Sequence, residues 1–114
     1  MWNKPTEKEL SLIPRLYETE NISLKDKVIK MHFFMAALDW YVCEYDPQEQ
    51  IFFGFAILNG DFQCAEWGYI PLKDLEEIKV KWFEVDRDLF WKERKASRVQ
   101  KICLASDWPI KNAF

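Results

Sequence analysis

Between Leu38 and Ile70 the chain carries nine aromatic rings in 33 positions, and its apolar residues alternate along much of that length. A period of two sends successive side chains to opposite faces of a pleated strand, so this stretch is suited to sheet and not to an amphipathic helix. Trp40 to Tyr45 reads as strand, with Tyr41, Cys43 and Tyr45 opposite Trp40, Val42 and Glu44. Ile51 to Leu58 is apolar on both sides, as a strand covered on both faces must be. Asp46-Pro47-Gln48-Glu49 joins the two as a turn, because Pro47 presets the backbone angle and Asp46 can accept from a following amide. Asn59-Gly60 tolerates positive φ and predicts a tight hairpin into a partner strand over Phe62 to Ile70. Upstream, Lys27 to Met35 also alternates. Ile29, Met31, Phe33 and Met35 fall on one side and Val28, Lys30, His32 and Phe34 on the other, with a turn at Ala36 to Asp39.

Helical signals flank this block. Thr6-x-x-Glu9 is a capping-box pattern, followed by Leu10, Ile13 and Tyr17 at helical spacing. A helix over about residues 7 to 17 is predicted, kinked near Pro14, which removes a hydrogen bond and crowds the turn before it. Pro71 can open a second helix, whose stripe is Leu72, Leu75 and Ile78, over about residues 72 to 79. Val80 to Val85 reads as a further strand that Asp86 to Trp91 extends past a bend. Runs of strands with segregated helices imply an α+β fold. Here that is an antiparallel sheet of about four or five strands, with the N-terminal helix and the short helix near 72–79 packed on one face. The chain reads as a single domain over 1–114, with an ordered core at about 7–95 and a weakly patterned tail at 96–114.

The totals narrow the function classes. Apolar residues make up 49% of the chain, which leaves no room for general disorder. The net charge of -3 argues against a protein that coats nucleic acid, which needs a surplus of Lys and Arg. Cys43, Cys64 and Cys103 are scattered, odd in number and form no CxxC, so they are expected as reduced thiols in a cytoplasmic protein rather than as disulfides or zinc ligands. MWNKPTEKEL is too polar for a secretory leader, and no apolar run reaches the roughly 20 residues a spanning helix needs.

Several stretches occur in a characteristic order: KEL…IPRLYETE, KVIKMHFF, DWYVCEYDP…IFFGFAILNGDF…EWGYIPLKDLEEI and VDRDLFW. Over about residues 7 to 95 they resemble the small bacterial and phage proteins catalogued as domain of unknown function 2958. The resemblance implies an accessory role on a plasmid, phage or integrated element. It carries over no catalytic residues.

Four groups of residues are candidates for chemistry. Glu44, Asp46 and Glu66 would hold a cation or split their pKa values for acid–base work if their strands bring them together; otherwise they are acids on a wet face. His32, the one histidine, could pair with Cys43 or Cys64 as base and nucleophile, or be a surface or sheet-edge residue. Arg87, in Val85-Asp86-Arg87-Asp88, could clamp a carboxylate or phosphate, or be held by neighbouring acids. Trp91 followed by Lys92, Arg94, Lys95, Arg98 and Lys101 could stack and neutralise single-stranded nucleic acid, or form a solvated terminal helix.

Six tryptophans exceed what a 114-residue domain usually hides, so some of Trp2, Trp67, Trp82, Trp91 and Trp108 should reach the surface. Exposed aromatics beside acids such as Glu66 suit a protein–protein contact. The expectation is therefore a non-catalytic interaction protein of a mobile element, with no cofactor, no metal and a protein partner. A metal-dependent enzyme built on the three acids, or a nucleic-acid accessory factor built on the basic segment, is the alternative.

Overall fold

A computed structural model describes residues 1–110. The main sheet is antiparallel and five-stranded, in the order β5-β4-β3-β2-β8. Its strands are β2 (Met31–Met35), β3 (Leu38–Asp46), β4 (Ile51–Ile57), β5 (Glu66–Pro71) and β8 (Asp86–Arg87). Two small ribbons flank it: β1 (Val28–Ile29) with β9 (Arg94–Lys95), and β6 (Lys79–Val80) with β7 (Phe83–Glu84). The helices are α1 (Glu7–Ser11), α2 (Leu72–Glu77) and α3 (Gln100–Ser106). The α+β expectation holds, with α1 and α2 on one face of the sheet.

Each face has its own core. On the first, Leu10 and Ile13 from the α1 region and Leu72 and Leu75 from α2 pack on Phe33, Trp40, Val42, Tyr45 and Phe52. On the second, Ala96, Val99 and Ile102 pack on Ile29, Tyr41, Cys43, Phe55 and Ile57. Residues 96 to 106, read as a weakly patterned tail, are thus a 3-10 turn and α3, and they close the second face. The apolar pattern Ala96, Val99, Ile102, Cys103 is short and straddles two helix types, which is why periodicity alone did not reveal it. The end of that tail, residues 111–114, lies outside the described residues.

Local signals worked where the chemistry is local. Thr6 and Glu9 form the capping box in both directions, Glu9 N–H to Thr6 Oγ1 at 3.1 Å and Thr6 N–H to Glu9 Oε1 at 2.9 Å. α1 nevertheless ends at Ser11, short of the predicted residue 17, because Pro14 cannot supply the next N–H. The turn after β3 is built as expected, with the Gln48 N–H on Asp46 Oδ1 at 2.9 Å. Pro71 is the N-cap of α2 rather than its first residue.

Four expectations fail. The turn between β2 and β3 is only Ala36-Ala37, with Ala36 at φ 51°, so Leu38 and Asp39 belong to the strand. Asn59 and Gly60 do take positive φ, but β5 starts at Glu66. Asp61 instead gathers the amides of Gln63 and Cys64 at 3.0 and 3.2 Å, and Gly60 N–H reaches the Ala37 carbonyl. The strand predicted over residues 80–85 is a hairpin turning at Lys81-Trp82, with Lys81 at φ 57°. Finally, the Lys27 to Met35 alternation breaks at Lys30: Ile29 joins the second core while Phe33 and Met35 join the first.

A bulge in β3 governs the rest. The β3–β4 register shifts between Val42 and Glu44. The extra residue turns Glu44 onto the second face and Tyr45 into the first core, the reverse of simple alternation. Opposite it, Gly54 has no room for a side chain, since a Cβ there would lie 2.2 Å from the Tyr41 carbonyl oxygen.

Candidate functional site

The three acids do not converge. Glu44 pairs across to Phe53 and Asp46 to Ile51, on one face of β4, whereas Glu66 pairs with Ala56 on the other. Asp46 is engaged in its turn, and Glu66 is exposed. Among the described residues no three His, Cys, Asp or Glu side chains are grouped to hold a metal ion.

Glu44 is a buried anchor, only 4% exposed. Its Oε1 accepts the Tyr17 N–H at 3.0 Å, and its Oε2 accepts the Thr19 N–H at 3.1 Å and the Thr19 hydroxyl. Lys27 Nζ lies 3.8 Å away and donates to the Thr19 carbonyl at 2.6 Å. A carboxylate so far out of water is tolerated because both oxygens have donors and a cation lies close by. The cleft beside it, about 170 Å³ and lined by Tyr17, Lys27, Phe53 and Tyr69, is smaller than the usual ligand pocket. Next to it, burial and then the Glu44 charge push the Cys43 thiol up to about 12, so Cys43 is not a thiolate nucleophile.

His32 is neither a surface residue nor a partner of cysteine. Its Nε2 is 2.7 Å from Asp39 Oδ1 and its Nδ1 is 3.1 Å from Asp88 Oδ2. The ring stacks on Tyr41 at 4.4 Å between centroids. Lys101 donates to the other oxygen of Asp39 at 2.9 Å. Burial raises the pKa of Asp39, but the hydrogen bonds from His32 and Lys101 outweigh it and leave the carboxyl below its ordinary value. Both ring nitrogens face carboxylates, so the network fastens β2, β3, the loop after β8 and α3 to one another. It could not be read from spacing, because Asp88 and Lys101 stand 56 and 62 residues from their partners.

Arg87 is held from two sides, its Nη1 2.7 Å from Glu9 Oε2 and its Nε donating to the Asn3 carbonyl at 2.9 Å. Trp91 is half-buried, donates from its indole to the Ile29 carbonyl at 2.9 Å and lies under the Arg94 guanidinium at 3.9 Å. The basic run is therefore neither a free stripe nor one helix. Lys95 lies 3.6 Å from Asp26, Lys101 binds Asp39, and only Lys92 and Arg98 of the remaining three are exposed.

The tryptophans divide as burial would sort them. Trp40 is core, Trp67, Trp91 and Trp108 are half-buried, and Trp2 and Trp82 are exposed. Trp82, at the β6–β7 turn, is 83% exposed, with Val80 and Phe83 beside it also in water. Phe90, in the loop after β8, is 91% exposed and follows exposed Leu89. Sequence reasoning singled out Trp82 only as one of five and missed Phe90, whose exposure depends on the Asp88 turn that holds its N–H at 3.0 Å.

Fold and surface together define a small α+β protein, with an antiparallel sheet covered on both faces and single aromatics presented on short loops. The chain belongs to the family described as "Protein of unknown function (DUF2958)", whose model matches residues 6–102. That match runs past Lys95 into α3, so it includes the segment that closes the second face. No curated protein and no solved structure matches the chain. Among the described residues, no helix is long and apolar enough to cross a membrane.

Proposed function

We propose that the protein is a non-catalytic interaction module, carried on a plasmid, phage or integrated element, that binds a protein partner in the cytoplasm as an anti-defence or accessory factor. The observation that carries this reading is the exposure of Trp82 and Phe90, two large rings held on short loops and left largely in water. Such rings cost free energy in water and return it when a partner covers them, which is the behaviour of interface hot spots. The mobile-element setting rests on the resemblance, and the cytoplasmic setting on Cys43 and Cys64, which are free thiols.

The test is affinity capture from host lysate with the wild type and with a Trp82→Ala/Phe90→Ala double variant, followed by a titration of the captured protein. Truncating two hot-spot rings should weaken binding by about 30-fold or more. Capture of nothing specific, or of one partner equally by both proteins, defeats the proposal.

A further inference from the structure

One outer edge of the main sheet is β5, which among the described residues pairs on one side only, with β4. In an antiparallel ladder, pairs that exchange N–H···O=C bonds alternate with pairs that do not. The Leu72 N–H donates to the Gln50 carbonyl at 2.9 Å, so that pair exchanges. Counting back along the unbroken register, Ile70–Phe52 and Gly68–Gly54 exchange, while Tyr69–Phe53 and Trp67–Phe55 do not. The main-chain N–H and C=O groups of Trp67 and Tyr69 therefore point away from the sheet.

Edge strands are commonly guarded by lysines, an internal proline or a bulge. The one charge of β5 is Glu66 at its first position, its proline is the last residue, and its ladder with β4 is regular. In the middle sits Gly68, where an added Cβ would meet nothing within 4 Å. A strand glycine often marks the close approach of another backbone.

We propose that β5 pairs antiparallel with the β5 of a second copy of this chain, with Gly68 on the two-fold axis. That register sets Trp67 opposite the second copy's Tyr69, and Tyr69 opposite its Trp67, so every outward donor and acceptor of the two residues is used. Centring on Tyr69 would place Trp67 opposite Pro71, which has no N–H. Centring on Trp67 would place Tyr69 opposite Ala65, outside the strand. Trp67 and Tyr69 share a face with Phe53 and Phe55, so pairing extends one aromatic row across the axis. On the opposite face the two glycines meet in a non-exchanging pair, the kind that brings backbones closest. The interface is self-complementary, as two-fold symmetry requires. It stands apart from Trp82 and Phe90 and does not depend on the proposed partner.

Sedimentation velocity on the full chain, from about 1 to about 200 µM, reads the association directly. The wild type is expected to shift from 13.8 kDa to twice that mass with rising concentration. Gly68→Lys puts two like charges face to face across the axis, and its Cβ meets nothing within 4 Å in one copy, so it should weaken the dimer by about 100-fold or more, with a melting temperature unchanged at concentrations where the wild type is monomeric. Gly68→Cys, in a Cys64→Ser background, should form an intermolecular disulfide on mild oxidation, because the two Cα atoms would lie within disulfide reach. A wild type that stays monomeric throughout overturns the proposal. So does a Gly68→Lys variant that still dimerises, or a Gly68→Cys variant that does not cross-link; the last decides the matter if the lysine variant fails to fold.

Discussion

Strand β3 buries a carboxylate near each end, and the two ends are built differently. Asp39 and Glu44 are each 4% exposed and lie on the same face of the sheet. Glu44 is satisfied mostly by main-chain N–H groups, those of Tyr17 and Thr19, with Lys27 behind them. Asp39 is satisfied by side chains alone, His32 from β2 and Lys101 from α3. The Glu44 end holds a single loop, residues 17–19, onto the sheet. The Asp39 end ties together segments far apart in the chain, and through His32 it also holds Asp88 and the turn that presents Phe90. An anchor made of peptide groups depends on one residue, the carboxylate. An anchor made of titratable side chains depends on every member and on pH.

The largest effect is expected at the Glu44 end. Glu44→Ala leaves Lys27 buried without its counter-charge and two amides without acceptors, a loss of about 3–5 kcal/mol. Urea denaturation measures it, and a loss below about 1 kcal/mol would mean that the loop holds itself. Next comes the bulge that aims Glu44. Gly54→Ala forces a methyl group against the Tyr41 carbonyl and should cost about 3 kcal/mol. A tolerated alanine there would show that the register can relax.

Asp39→Asn should cost less, about 1–3 kcal/mol near neutrality, since an amide keeps the shape but loses charge-assisted bonds. The pH dependence has a definite sign. The folded-state pKa of Asp39 is depressed, so its contribution is complete above the ordinary Asp value and is lost as pH falls through the lower folded value. The stability gap between wild type and Asp39→Asn is expected to be flat near neutrality and to close in acid below that range. A gap that widens on acidification would contradict the assignment.

The smallest effect is at an exposed carboxylate used for comparison. The Thr6 amide, with Arg87 assisting, holds Glu9 down at about 2. Thr6→Ala should cost about 1 kcal/mol through the lost cap, while Glu9, whose main donors are the residue-6 amide and Arg87, should stay well below its ordinary value, followed by carboxyl NMR shifts.

How far the sequence could be read differs along the chain for physical reasons. The Thr6–Glu9 box, the Asp46-Pro47 turn and the apolar stripe of α2 involve partners within four residues, so composition and spacing contain all that is needed. β4 was legible as a doubly covered strand because its residues are apolar at both parities. The two anchors were not. Glu44 could be named as a candidate, but alternation put it on the wrong face, because a bulge changes parity without leaving a mark in the residue types. His32 could be named too, yet its partners come from β3 and from the loop after β8.

Local chemistry and binary patterning thus determined the sheet, its antiparallel character, the first helix cap and the pairing of α1 and α2 on one face, since each depends on short-range geometry and on which residues avoid water. Only the folded chain decided which face received α3, where Glu44 points, which charges meet at Asp39 and which rings remain in water. Those outcomes depend on contacts between segments tens of residues apart, and a one-residue slip in a strand reverses every side chain after it.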